Sequence, residues 1–143
     1  MQYIDYHPFY QDTTFNAEDH PINRFWSHIN RGLKAFSIDH TLSEKGRMLQ
    51  IVKDAGFHDA KEVWCKLPIG TWPRDKRLKE VGAFMRKILH DSAENIAREP
   101  LATGLWWRDV DIQFEVAAFR NALKTCTGQP YFTFRSVYGQ KPE

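Results

Sequence analysis

Between residues 60 and 96 the chain changes its apolar period once, and that switch limits what it can fold into. Residues 60–67 alternate, with Val63, Cys65 and Leu67 on one face and Glu62, Trp64 and Lys66 on the other. That is the period of a half-buried strand. Over residues 74–98 the apolar positions Leu78, Val81, Met85, Ile88, Leu89 and Ile96 recur at helical spacing instead. Pro68, Gly70 and Pro73 stand between the two segments and force a turn. A strand, a tight turn and a long one-sided helix need a second layer to bury both apolar faces, which points to a mixed α and β architecture.

The flanking segments fit this frame. Residues 2–6 are aromatic and β-branched, end at His7-Pro8, and predict a strand. Residues 10–20 read as a loop. A helix is predicted over 21–36, with Pro21 in its first turn and Ile22, Phe25, Trp26, Ile29 and Leu33 on one face. Thr41-Leu42-Ser43-Glu44 fits a capping box for a further helix. That helix carries Met48, Leu49, Val52 and Ala55 on one face and stops at Gly56. Pro100 and Gly104 interrupt the long helix. The last helix is expected over 109–124, with Asp109 as its N-cap and Val110, Phe114, Ala117 and either Phe119 or Ala118 buried. Residues 131–138 predict the final strand, with Phe132 and Phe134 on one face. The order is β-α-α-β-α-α-β, without internal repeats.

A chain of 143 residues is expected to form one domain, 1–143, with a real core. The net charge of +2 is small, and bases alternate with acids, as in Arg74-Asp75-Lys76-Arg77. No nucleic-acid stripe is expected. No apolar run is long enough to span a bilayer, and no leader of the secretory type is visible, so a soluble cytoplasmic protein is expected. Cys65 and Cys126 read as two buried thiols, with a disulfide as the alternative. The six histidines lack metal-ligand spacing, and no Gly-x-Ser-x-Gly nucleophile motif occurs. Asp39-His40 is a neighbour pair with no further catalytic pattern.

The run Leu67, Pro68, Gly70, Trp72, Pro73, Asp75, Arg77, Leu78, Lys79, Glu80 and Gly82 matches the pattern Leu-Pro-x-Gly-x-Trp-Pro-x-Asp-x-Arg-Leu-Lys-Glu-x-Gly. With Ala55-Gly56-Phe57 and the closing Val137-Tyr138-Gly139-Gln140-Lys141-Pro142, it resembles the C-terminal half of fungal class I S-adenosylmethionine-dependent methyltransferases of secondary metabolism. The resemblance implies that residues 1–6, 60–67 and 131–138 are the fifth, sixth and seventh strands of that fold. A truncated α/β fold is then expected: a small three-stranded mixed sheet, order 1-3-2, with four or five helices. The first strand would expose an unpaired edge, so a homodimer through that edge or the adjacent helices is expected. The cofactor-binding half has no counterpart, because no Gly-x-Gly cluster follows a strand. No cofactor and no independent methyl transfer are expected.

Ligands in open α/β sheets sit beyond the carboxyl ends of strands. Tyr6, His7 and Lys66 through Trp72 occupy such ends. His7 is either a strand-end polar residue or a donor to a substrate, and Lys66 is either a donor or a stem lying over Trp64. Trp72 belongs to the signature, where a turn role competes with substrate contact. Trp26 shares the apolar stripe of the first helix, and His28 lies on another face. Trp106 and Trp107 cannot both point inward, so one is expected to wall a pocket, with Arg108 able to bind a carboxylate or to stack. These residues suit a cofactor-independent cyclase, such as a pericyclase running an intramolecular Diels–Alder reaction on an apolar small molecule. His7, Lys66 and Arg108 would be its donors, and Tyr6, Trp26, His28, Trp64, Trp72, Trp106 and Trp107 its walls. The alternative is a non-catalytic dimeric partner module for a full-length methyltransferase.

Overall fold

Strand β3 (Tyr131–Gln140) is the element on which the rest is assembled. A computed structural model describes the strand Gln2–His7 and residues 20–38, 44–125 and 128–141. Strand β2 (His58–Pro68) pairs antiparallel with β3, setting Leu67 opposite Phe132 and Trp64 opposite Arg135, with a bulge between His58 and Lys61. Strand β1 (Gln2–His7) runs antiparallel along the other edge of β3, with Tyr6 opposite Phe132 and His7 opposite Tyr131.

The expectation of a three-stranded mixed sheet, order 1-3-2, in a truncated methyltransferase fold is therefore corrected. Strand β3 runs opposite to each strand it meets, so no parallel ladder exists among the described residues. The sheet with described side chains is the two-stranded antiparallel β2–β3 ribbon, set in a mixed α/β architecture with four α-helices.

Helix α1 (Pro21–Lys34) begins with proline at a position whose missing N–H costs nothing, and the His20 Nδ1 accepts from the Ile22 N–H at 3.3 Å. Helix α2 (Arg47–Asp54) starts after Gly46 and stops before Gly56, which adopts the left-handed conformation that glycine tolerates. Residues 41–43 of the expected capping box lie outside the described residues. Helix α3 (Lys76–Glu99) is capped by Asp75, whose carboxylate accepts from the Leu78 N–H at 2.8 Å. The chain does not simply break at Pro100; residues Pro100–Gly104 form a π-helical turn. Helix α4 (Asp109–Thr125) includes Asp109 as its first residue rather than its cap.

The core lies between α1, α3, α4 and the Phe132 end of the sheet. Phe25 stacks on Phe119 at 3.9 Å between ring centroids, and Trp26 meets Phe119 and Phe132 edge-on. Helix α4 buries Ile112, Glu115, Val116, Phe119, Ala122 and Leu123. Val110, Phe114 and Ala117, expected inside, are exposed, because the longer of two apolar repeats on this helix takes the core. On α3, Leu78 and Ile88 are likewise exposed, while Gly82, Leu89, Ala93 and Ala97 are buried. Cys65 is an exposed free thiol rather than a buried one, since the face of β2 it shares with Val63 is left in solvent. Cys126, Asp39 and His40 lie outside the described residues.

Candidate functional site

The signature block is held together by its own backbone. The Gly70 N–H donates to the Gly82 carbonyl at 2.8 Å, which docks the β2–α3 turn onto the second turn of α3. A Cβ at Gly82 would run into the Gly70 carbonyl oxygen, so glycine is required by contact there. The Pro130 carbonyl accepts from the Ile69 N–H at 2.9 Å and from Trp72 Nε1 at 3.0 Å. Trp72 thus pins the turn to the start of β3, with its indole polar atom already used.

The same contacts decide whether this strand-to-helix turn suits S-adenosylmethionine. A cradle for that cofactor needs several free backbone N–H groups in a glycine-rich turn. Here the Gly70 N–H is taken by Gly82, the Ile69 N–H by Pro130, and the Leu78 N–H by Asp75. The residues of this turn do not fit the cofactor.

His28 and Trp107 are brought together at the seam of α1 and α4. Their rings meet edge-on with centroids 4.8 Å apart. Glu115, only 8% exposed at its side chain, lies beside His28, with Arg24 Nε 3.2 Å from both carboxylate oxygens. His28 Nδ1 is 3.6 Å from Glu115 Oε1, beyond a formed hydrogen bond, so the two attract without sharing a proton closely. Burial pushes the imidazole below its ordinary value of 6.5; the Glu115 carboxylate opposes this, and Arg31 and Arg24 reinforce it. A neutral imidazole beside a buried carboxylate can hold a proton. The arrangement also works as a polar latch between two helices, and neither of the two clefts near Arg86 is lined by His28 or Trp107.

The other expected site residues are dispersed. Trp26 is half-buried in the aromatic core. Lys66 places its ammonium 4.6 Å above the Tyr131 ring rather than over Trp64, which is exposed. His7 and Tyr6 are placed by register opposite Tyr131 and Phe132. Trp106 adopts a left-handed backbone and is exposed, whereas Trp107 turns inward and its backbone N–H donates to the Leu101 carbonyl at 3.0 Å. Arg108 is a bidentate partner of Asp111, at 2.8 and 3.1 Å, on the surface of the first turn of α4.

Two further ionic groups were not singled out from the sequence. Arg135 and Glu62, both under 10% exposed at their side chains, pair at 3.3 Å across β3 and β2. Glu62 also accepts from the Gly46 N–H, tying α2 to the sheet. Glu115 had one available signal: it occupies a core-facing position between Ile112 and Phe119, where a lone acid predicts a buried partner. Among the described residues no three His, Cys, Asp or Glu gather as metal ligands, and no helix is long and apolar enough to cross a membrane.

Comparison with known proteins places this geometry beside fungal relatives. No family model and no solved structure matches the chain. It is 27% identical over 124 residues to Methyltransferase pytC of Aspergillus terreus, covering 85% of this chain and 38% of that protein. Methyltransferase pytC of A. terreus strain NIH 2624 is 28% identical over 102 residues, covering 71% and 32%. Secondary metabolism regulator LAE1 of Cochliobolus heterostrophus is 31% identical over 61 residues, covering 43% and 20%. The chain spans under two-fifths of the length of each relative. It is similar, over part of their length, to methyltransferase-like proteins of fungal secondary metabolism.

Proposed function

We propose that this chain acts as a packing module of a methyltransferase-like assembly in fungal secondary metabolism. It would supply a sheet and helices against which a cofactor-binding portion docks, carried on the same polypeptide or on another. One observation carries this reading. The core between the helices is filled, yet Phe84 (70% exposed), Ile88 (56%), Val110 (51%) and Phe114 (77%) stand in solvent as pairs one helical turn apart. Covering one such phenylalanine contributes about 1.5–3 kcal/mol, enough for several to hold a docked partner. The occupant is inferred from the relatives, in which the matched segment accounts for 38% and 32% of the protein.

A cofactor-independent cyclase is the weaker reading. A pericyclase needs aromatic walls around one cavity, and Trp26, Trp64, Trp72, Trp106 and Trp107 stand at five separate places.

Co-expression tests the packing reading. The chain and the part of the A. terreus methyltransferase outside the matched segment are expected to elute together as a one-to-one complex. Phe84→Glu with Phe114→Glu is expected to separate them. Separate elution of the unaltered pair, or self-association of the chain into a homodimer that covers the same residues, would overturn it.

A further inference from the structure

We propose that Trp106 anchors this chain to its partner, its indole held outward on a fixed loop for an apolar recess on the cofactor-binding portion. The proposal rests on the packing reading above and names the residue on which that docking turns.

Trp106 combines two properties that a folded chain rarely keeps together. Its side chain is 86% exposed, the most of any large apolar group among the described residues. Its backbone is left-handed, with φ of 58°, a region that bulky residues avoid and that glycine or asparagine tolerates. Among the described residues no ring contact or side-chain hydrogen bond within the chain offsets that strain. Packing inside the chain therefore gives no reason for tryptophan at this position.

The loop is fixed on both sides of it. Before it, Leu101 is fully buried in the π-helical turn, and a Cβ at Gly104 would collide with the Gly32 carbonyl of α1. After it, the Trp107 backbone N–H donates to the Leu101 carbonyl at 3.0 Å, and the Trp107 ring meets His28 at 4.8 Å. The path of the chain imposes the left-handed residue, and asparagine or glycine would follow it with less strain. Tryptophan is the strained choice, and what offsets the strain lies outside the isolated chain.

The surroundings select the partner surface. Arg108 closes onto Asp111, and Arg98 onto Glu94 and Asp109, so the charges at the start of α4 are neutralised within the chain. A charged surface gains little there, whereas an apolar recess with one hydrogen-bond acceptor matches an indole. Val110, four residues on, is exposed as well, so the anchor adjoins the face that carries Val110 and Phe114. A tryptophan on a preorganised loop gives up little freedom on docking, which is the character of an interface hot spot. The matched segment is 38% and 32% of the relatives, and the portion outside it is the occupant.

Trp106→Asn separates an anchor from a structural residue. In the isolated chain its urea midpoint is expected to hold or rise, because strain is relieved and almost no contact is lost. In calorimetric titration against the part of the A. terreus methyltransferase outside the matched segment, its affinity is expected to fall about tenfold or more. A lowered midpoint would make Trp106 a support of the fold, and an undiminished affinity would show that docking does not use it; either result overturns the proposal. Undiminished affinity with Phe84→Glu and Phe114→Glu still separating the pair would leave the packing reading standing. Failure of the unaltered pair to associate would remove both.

Discussion

At Gly82 the backbone of α3 comes so near the Gly70 carbonyl that an added Cβ collides with backbone, which cannot step aside as a side chain can. Gly82→Ala is expected to cost about 1–3 kcal/mol, the range of overpacked sites, read as a lowered urea midpoint. An unchanged midpoint would mean that the turn and helix are not locked as described. Trp72→Phe keeps the ring but leaves the Pro130 carbonyl one donor short, and about 1 kcal/mol is expected to be lost in the same measurement. His28 gives a pH dependence of definite sign. Burial lowers its folded pKa below 6.5, so the unfolded chain takes up the proton first as the pH falls through 6.5. Stability falls wherever the unfolded state binds more protons as acid is added. His28 therefore weakens the fold below about pH 6.5, down to its folded pKa, and has no such effect above. His20 is shifted the same way by burial, so it adds to the slope. The loss of unfolding midpoint on acidification is expected to be shallower in His28→Asn, and an identical slope would remove His28 from this role.

Helix α4 shows how far an element can be read from its residues. Val110, Phe114 and Ala117 repeat at i, i+4 and i+7; so do Ile112, Val116 and Phe119, which continue to Leu123. Periodicity alone ranks these stripes by hydrophobicity, and Phe114 makes the first attractive. What separates them is tertiary: the second stripe includes Phe119, which stacks on Phe25 of α1, and it tolerates Glu115 only because Arg24 reaches it. Phe119→Ala is accordingly expected to cost about 3–5 kcal/mol, whereas Phe114→Ser stays within about 0.5 kcal/mol. Reversed values in urea unfolding would return α4 to its other face. The strands were legible for the opposite reason. Alternation in β2 and the proline–glycine turn after it are local features, as is the Asp75 cap of α3. Which strands pair is not a local feature, and no parallel ladder of the expected mixed sheet occurs among the described residues. The candidate site was legible only in pieces: His28 and Trp107 were singled out, but the Glu115 beside His28 and the Arg24 that pairs with it are 91 residues apart in sequence.

At the scale of the molecule, the β2–α3 signature is spent on structure. Its glycines lock to each other, its tryptophan to Pro130 and its aspartate to the first turn of α3. Apolar side chains are left outward on α3 and α4, and the relatives extend well beyond the matched segment. On the proposed reading, such a module would contribute surface to a methyltransferase-like assembly whose cofactor is held elsewhere. Calorimetric titration of the isolated 143-residue chain with S-adenosylmethionine tests this most directly. No binding heat is predicted for the chain alone, with binding appearing once the remainder of the methyltransferase is present. One-to-one binding of the cofactor to the isolated chain at micromolar concentration would contradict it.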